Sequence, residues 1–204
     1  MISNHTNNDT SNNASSDTVA SVTTPLFATE YHIYINHTDA GGIVYHANHL
    51  VFFENARRDW FTKIGLNGYF LQADNGQVQH FVVSQAELNY RKAILLDEII
   101  ETRIDKVELK PASIIFYQSI HRKAKNAELA VAINPADTLL SSARIVIACV
   151  QNQVQPETSN SSHESEKIVD SPATMTNVAP IRPIRVPSKL HAMITQAIAN
   201  HANK

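Results

Sequence analysis

Cysteine is nearly absent from the sequence: Cys149 is the only one among 204 residues. A single thiol cannot form a disulfide within the chain, and its neighbours lack the paired spacing of a zinc or iron–sulfur site. Such cysteine usage is typical of proteins that fold in a reducing compartment. We therefore expect a cytoplasmic protein. Separately, we expect that the chemistry considered below needs no metal and no other cofactor.

An excess of charge of one sign is also missing. Lys and Arg total 17 and Asp and Glu total 19, which gives a formal net charge of −2. Proteins that bind nucleic acid neutralise its phosphates with a surplus of Lys and Arg, and the chain has no such surplus. The charge balance therefore disfavours a partner made of DNA or RNA.

Long apolar runs are missing as well. No segment approaches the roughly 18 consecutive apolar residues of a membrane-spanning helix, so we expect no membrane span. Residues 1–24 have neither the basic start nor the apolar run of a signal peptide, and their polar composition predicts a disordered tail. Residues 153–180 are polar and contain Pro156 and Pro172, which predicts a linker or a surface loop.

Residues 25–152 are predicted to form one domain with a core, since 43% of the chain is hydrophobic. Alternating large apolar and polar residues at Tyr31–Ile35 predict a half-buried strand that ends in turn-forming residues before Asp39. From Asn48 to about Ile64, apolar residues recur at helical spacing. This predicts one long amphipathic helix, with Asn48 as its N-cap and Gly65 at its end.

Four further strands and a terminal helix complete the pattern. Because these strands follow one another along the chain, the sheet should be mainly antiparallel, and the very apolar last strand should be central. In residues 181–204, helical spacing from Pro187 to about Asn200 predicts a short amphipathic helix. The strands are predicted at Phe81–Tyr90, Asp97–Val107, Ser113–Arg122 and Leu139–Val150, and in the first of them Val82, Ala86, Leu88 and Tyr90 are predicted to share one face.

The segment Thr38–Asn48 has an acid, two glycines and a histidine in close succession, and Phe52–Arg57 follows it on the predicted helix. Together they resemble the YbgC branch of the 4-hydroxybenzoyl-CoA thioesterase family, and the similarity continues through Tyr90–Asp97 and Ala143–Val150. The resemblance implies a hotdog fold of the α+β class. In this fold a curved, mainly antiparallel five-stranded sheet wraps around a long central helix.

The same resemblance implies an activity, partners and a set of site residues. The implied enzyme is an acyl-CoA thioesterase, a homodimer or homotetramer with active sites at subunit interfaces, and acyl carrier protein is a further candidate partner. Asp39 matches the catalytic carboxylate, and His46 matches a histidine near the substrate. The residues expected to bind substrate are Gly41, Gly42, Val44, Tyr45, Asn48, Tyr90 and Arg91.

Physical chemistry supports these assignments independently. An ionised Asp39 can act as a general base that activates water or as a nucleophile that attacks the thioester carbonyl, and the sequence leaves both open. The helix that begins near Asn48 presents backbone N–H groups and the positive end of its dipole, which suit an oxyanion. Gly41 and Gly42 allow a tight turn and a close approach of substrate to the backbone.

The same residues have other interpretations. Taken alone, an Asp before Ala-Gly-Gly is more often a turn former than a catalyst. Four histidines invite a metal site but lack the spacing that places two ligands on one helical face; they are His32, His37, His46 and His49. The alternative functions are a non-catalytic module that binds acyl-CoA or acyl carrier protein, and a dehydratase of the same fold.

Three positions beside Asp39 depart from the family pattern. Ile35 stands where relatives commonly have a second tyrosine, and His37 stands where they have an acid. Asn36 also replaces an acid, so one hydroxyl and two carboxyls are missing near the expected site. We expect the rate or the acyl preference to differ from that of the family.

Overall fold

The computed structural model describes residues 24–66, 71–72, 78–123, 138–152 and 181–203. Within them, the protein has seven strands and two α-helices. The predicted linker and all but the last residue of the predicted tail lie outside these residues. The strands are β1 (Phe27–His32), β2 (Leu71–Gln72), β3 (Val78–Tyr90), β4 (Ile99–Leu109), β5 (Ser113–Arg122), β6 (Leu139–Asn152) and β7 (Ile181–Pro183), and the helices are α1 (Asn48–Lys63) and α2 (Ser188–Ala202).

The strands form one sheet in the order β1-β4-β5-β6-β3-β2, with β7 beside the end of β6, and every pair is antiparallel. The predicted α+β architecture is confirmed, and so is the central strand, because β6 pairs with both β3 and β5. The short strands β2 and β7 were not predicted, since two or three residues show no clear periodicity. No helix in the described part of the chain is long and apolar enough to cross a membrane.

The first strand was predicted too late in the chain. β1 spans Phe27–His32 rather than Tyr31–Ile35, and its pairing with β4 ends where His32 lies opposite Ile99. The next residues, Ile35–His37, form a single turn of 3₁₀ helix. The length of a strand is set by its partner, whereas the sequence pattern shows only where apolar and polar residues alternate.

A β-bulge at Ser84 interrupts β3, because the register with β6 skips this residue. One extra residue exchanges the two faces of a strand. Phe81 therefore packs against the core before the bulge, and Leu88 does so after it. Val82 lies before the bulge, and Ala86, Leu88 and Tyr90 lie after it. The prediction that Val82 shares a face with these three residues is therefore wrong.

Helix α1 buries one face against the sheet. Phe53 and Ala56 are fully buried, and the Trp60 ring lies edge-on to Phe116 of β5 with centroids 5.8 Å apart. Gly65 follows the helix at a φ of +93°, a left-handed conformation that favours glycine and ends the helix as predicted. The long amphipathic helix is therefore confirmed.

Helix α2 covers the C-terminal end of α1. Its Leu190 and Ile194 are buried in the same hydrophobic core as the sheet. A Cβ placed on Gly65 would lie 3.7 Å from Met193 Cε, which shows how close α2 comes to the end of α1. The predicted terminal helix thus contributes to the core of the domain.

A buried arginine links α1 to the sheet. Arg57 is 4% exposed, and its Nη1 donates to Oε1 of Gln118 on β5 at 2.7 Å. Its Nη2 pairs with Glu54 on the preceding turn. Gln118 in turn donates from Nε2 to the Phe53 carbonyl at 3.1 Å. These polar contacts fix the helix at one position on the sheet, because a buried charge must keep its partners.

Candidate active site

Residues Thr38–Val44, here called the site hairpin, reverse the chain around Asp39. The two ends of the hairpin form a β-bridge, and Asp39 N–H donates to the Ile43 carbonyl at 2.9 Å. Gly42 N–H donates to the Asp39 carbonyl at 3.1 Å, and Gly42 has a φ of +75°. A left-handed glycine is what a tight hairpin of this length requires.

The Asp39 side chain is exposed and takes part in the turn. Its Oδ1 accepts a hydrogen bond from Gly41 N–H at 2.8 Å. A Cβ placed on Gly41 would lie 3.2 Å from this oxygen, so glycine lets the backbone approach the carboxylate. Asp39 is thus a turn former, and its exposure also leaves the carboxylate open to a substrate.

The site hairpin lies against Ala93–Glu98, here called the support loop. Ile43 and Leu95 form a β-bridge between the two segments. Val44 N–H donates to the Ile94 carbonyl at 2.8 Å. The two arms of the hairpin and the support loop therefore form a small three-stranded arrangement. Its bridges lie outside the named strands of the main sheet.

This small sheet has one buried face and one exposed face. Val44 is only 4% exposed, so the side chain of this expected substrate-binding residue belongs to the core. Ile43 and Leu95 are exposed. Asp39 lies opposite Ile43 in the hairpin, and residues that face each other across a strand pair share a side. The carboxylate is therefore presented beside two apolar side chains.

Asn48 connects α1 to the site hairpin. The prediction that Asn48 is the N-cap is wrong, because α1 begins at Asn48, Ala47 is in the N-cap position and no side chain caps the helix. The Asn48 side chain points back instead, and its Nδ2 donates to the His37 carbonyl at 2.7 Å. The same carbonyl accepts Tyr45 N–H at 3.0 Å. The His37 carbonyl thus holds the N-terminus of α1, here called the helix entrance, beside the site hairpin.

His46 and Tyr45 are exposed at this entrance, with ring centroids 4.3 Å apart. Tyr90, at the end of β3, donates from its hydroxyl to the His46 carbonyl at 3.1 Å. Arg91 follows Tyr90 and is exposed, and its N–H donates to the Leu140 carbonyl at 2.9 Å. The structure therefore joins Tyr90 to the helix entrance and places Arg91 at the adjoining strand end.

The four histidines of the metal interpretation have separate partners. His37 Nδ1 accepts Tyr34 N–H at 3.0 Å, and His32 Nε2 lies 3.9 Å from Asp97 Oδ1. Within the described residues, no group of three or more His, Cys, Asp or Glu side chains is placed to hold a metal ion.

Residues 33–192, more than half of the chain, match the family model of the thioesterase-like superfamily. The chain belongs to this superfamily. It is similar to acyl-CoA thioester hydrolase YbgC of Escherichia coli O6:H1, with 29% identity over 127 residues that cover 62% of this chain and 84% of the relative. It is also similar to acyl-CoA thioesterase YbgC of Haemophilus influenzae, with 32% identity over 124 residues that cover 61% of this chain and 80% of the relative.

The fold of this thioesterase-like chain is similar to that of 4-hydroxybenzoyl CoA thioesterase from Pseudomonas sp. strain CBS-3. The TM-score is 0.55, with 19% identity and coverage of 82% of this chain and 97% of that one. A hypothetical protein from Aquifex aeolicus gives a TM-score of 0.56, with 18% identity and coverage of 82% and 98%. The predicted hotdog fold is confirmed, with β2 and β7 added to the five long strands.

Two of the departures from the family pattern have different surroundings. Ile35 is 72% exposed on the 3₁₀ turn. The His37 ring lies edge-on to Phe52 of α1, with centroids 5.2 Å apart, while its carbonyl holds Asn48. His37 therefore helps to connect the hairpin to α1. Neither of these contacts uses a carboxyl group such as the one that relatives have at this position.

His49 appeared in the sequence analysis only as one of four possible metal ligands, and its buried place beside the site was missed. It is 4% exposed, its Nδ1 lies 3.0 Å from Ser141 Oγ, and its ring is edge-on to Tyr90 with centroids 5.0 Å apart. Burial, with a smaller effect of nearby His46, lowers the pKa of His49 to about 4. The only sequence signal was its place one residue after Asn48, where a histidine usually carries no special meaning.

Buried His49 predicts acid sensitivity of the fold. Its folded pKa of about 4 lies below the ordinary value of 6.5, so the unfolded chain binds the proton more readily. This contribution to stability is complete above pH 6.5 and is lost as the pH falls towards 4. His49→Gln should therefore make the unfolding free energy, measured by urea titration at each pH, less dependent on pH in this range.

His191 provides the matched control, because it is exposed on α2. His191→Gln should leave the pH dependence close to that of the parent. Part of the dependence should persist in His49→Gln, since burial also lowers the pKa of His121 to about 4. An unchanged pH profile in His49→Gln would contradict the prediction.

Proposed function

We propose that the protein hydrolyses acyl-CoA thioesters to a free carboxylic acid and coenzyme A. The observation that carries this proposal is the exposed Asp39 carboxylate, held by a glycine turn beside the entrance of α1. The relatives named acyl-CoA thioester hydrolase and acyl-CoA thioesterase support the choice of substrate. A cytoplasmic location agrees with this substrate and with the single cysteine.

The proposed chemistry uses Asp39 as general base or nucleophile. As a base, it removes a proton from water while the water oxygen attacks the thioester carbonyl; as a nucleophile, it attacks that carbon itself and forms an anhydride that water then cleaves. In both routes the carbon–sulfur bond breaks and the thiolate of coenzyme A accepts a proton. In this proposal His46 and Tyr45, which are both exposed beside the start of α1, contact the substrate near its carbonyl.

The entrance of α1 is proposed to polarise the carbonyl. Helix starts carry partial positive charge and unpaired N–H groups, and losing one oxyanion donor costs roughly 100-fold to 1000-fold in other hydrolases. Asn48 N–H and Leu50 N–H are already bonded to the carbonyls of Tyr45 and Ala47. The donors to the substrate would therefore be other N–H groups of this entrance.

A homodimer or homotetramer is proposed as the working state. β3 pairs with β6 along one side, and among the described residues only β2 pairs with it on the other, at Val78 and Gln79. The remaining edge carries Val83 and Tyr90, each about half exposed. A long, exposed strand edge with apolar side chains is a place where another strand can pair. A second copy at this edge would adjoin Tyr90, which contacts the helix entrance.

The proposed activity is tested with acyl-CoAs of graded chain length and with aromatic acyl-CoAs, by measuring release of the coenzyme A thiol. Turnover of at least one of them is expected. Binding of the same acyl-CoAs is measured in parallel by calorimetry. Binding without thiol release would favour the alternative, a non-catalytic module for acyl-CoA or acyl carrier protein, and would overturn the proposed hydrolysis.

A further inference from the structure

The support loop makes two sets of hydrogen bonds, one to the site hairpin and one to the opposite side. Towards the hairpin, Leu96 N–H donates to the Gly42 carbonyl at 3.2 Å, in addition to the Val44 bond to Ile94. The loop is therefore the surface on which the Asp39 turn rests. The contacts that hold the loop therefore bear on the position of the Asp39 turn.

On the opposite side, the loop is held by Arg122 of β5 together with Glu98, the last residue of the loop itself. Arg122 Nη2 donates to the Ala93 carbonyl at 2.8 Å, at the start of the loop. Glu98 Oε2 accepts Leu95 N–H at 3.1 Å, in its middle. Arg122 also joins Glu98 by two hydrogen bonds, from Nε to Oε1 at 2.9 Å and from Nη2 to Oε2 at 3.2 Å. A bidentate arginine–carboxylate pair of this kind has one preferred geometry.

The pair is also anchored away from the loop. Arg122 is the last residue of β5, and Ile33 N–H donates to the Glu98 carbonyl at 2.9 Å. The side chains of Arg122 and Glu98 are 34% and 15% exposed, so solvent only partly competes for them. The Arg122–Glu98 ion pair thus links the end of β5 to the support loop, in addition to the backbone hydrogen bonds between the loop and Ile33.

The backbone of the loop needs such a constraint. Asp97 adopts a φ of +62°, in the left-handed region that residues other than glycine rarely occupy. Strained conformations of this kind persist only where the surrounding contacts determine them. Asp97 N–H donates to the Ile33 carbonyl at 3.0 Å, and Ile33 N–H donates back to the carbonyl of the next residue, Glu98, at 2.9 Å.

We infer that Arg122 and Glu98 are positioning residues for Asp39, acting through the support loop and the site hairpin. This inference rests on the proposed function of Asp39. Without the pair, Ala93 and Leu95 lose their side-chain partners, and the segment that pairs with Ile43 can shift. A misplacement of about 1 Å in a catalytic group can cost roughly 100-fold in rate.

The experiment compares two ion pairs of similar exposure. Arg122→Gln and Glu98→Gln break the positioning pair, and Arg103→Gln and Glu101→Gln break a pair within β4 whose side chains are 28% and 25% exposed. Thiol release from the best acyl-CoA gives kcat and KM, and thermal denaturation gives Tm. We expect kcat to fall about 10-fold to 100-fold in the first two variants, with a smaller change in KM, and to stay within about 2-fold in the controls.

Two further readouts separate positioning from a purely structural role. In an Asp39→Asn background, Arg122→Gln should change kcat little, because the group that it positions is already gone. Amide hydrogen exchange should become faster at Val44 and Leu96 in Arg122→Gln, and this measurement needs no enzymatic activity. It therefore tests the positioning geometry even if the parent protein proves inactive.

Two results would overturn the inference. One is a lowered Tm in Arg122→Gln with unchanged kcat at a temperature where the variant is folded, which would mean that the pair only stabilises the fold. The other is unchanged exchange at Val44 and Leu96, which would mean that the loop does not depend on the pair. An inactive parent with faster exchange in Arg122→Gln would instead refute the proposed function and leave the geometry supported.

Discussion

Replacing Asp39 by Asn is expected to lower kcat by about 100-fold to 10,000-fold, the range that a positioned acid or base contributes in enzymes. Asn keeps an oxygen that can accept the hydrogen bond from Gly41 N–H, so the turn is preserved. It cannot remove a proton from water or attack the carbonyl as an anion. The variant therefore separates the role in the turn from the role in the reaction.

The expected pattern is a large loss of thiol release with Tm close to that of the parent. Asp39→Ala removes both roles and should lower kcat and Tm together. Asp97→Asn is the matched control, because it removes an exposed carboxylate from the support loop and keeps a residue type that tolerates a positive φ. An Asp39→Asn variant as active as the parent would show that Asp39 only forms the turn.

Replacing Arg57 by Ala is expected to destabilise the domain by about 2–4 kcal/mol, because a large buried side chain is removed and a buried polar group loses its donor. The loss is large because Gln118 Oε1, at 2.7 Å from Arg57 Nη1, would remain buried without its donor. Glu54 would also lose its ion pair with Arg57. Urea denaturation measures the difference in unfolding free energy.

Arg58 gives the control at the next position, since it is exposed on the same helix. Arg58→Ala should change the unfolding free energy by about 0.5 kcal/mol or less, as surface substitutions usually do. Arg57→Met combined with Gln118→Leu should cost less than the sum of the two single changes, because neither polar group is then left alone. Full additivity would contradict a direct coupling between Arg57 and Gln118.

The larger elements of the fold could be predicted because they have clear periods. The face of α1, the strands β4 to β6 and the amphipathic α2 each contain enough residues to show helical or alternating spacing. Two details were not visible. The bulge at Ser84 depends on how β3 pairs with β6, and the start of β1 depends on its ladder with β4. Both are properties of partner strands, which a local pattern does not contain.

Part of the site could also be predicted from a local pattern. Asp39 and its glycines lie in one short segment, so the turn was visible in the sequence. The contacts that fix this turn come from distant residues: Arg122 follows Asp39 by more than 80 positions, and Tyr90 reaches the His46 carbonyl from another strand. His49 became notable only when the fold buried it beside Ser141. Burial and long-range pairing, rather than residue type, decide these roles.

The pairing of β6 with β7 bears on how long the connection between these two strands can be. Asn152 and Ile181 are direct partners in this pair, so the chain leaves the sheet and returns to it at neighbouring positions. The cost in entropy of closing such a connection grows slowly, by about 0.6 kcal/mol for each doubling of its length. The register of β6 with β7 therefore depends little on the exact number of residues between Asn152 and Ile181.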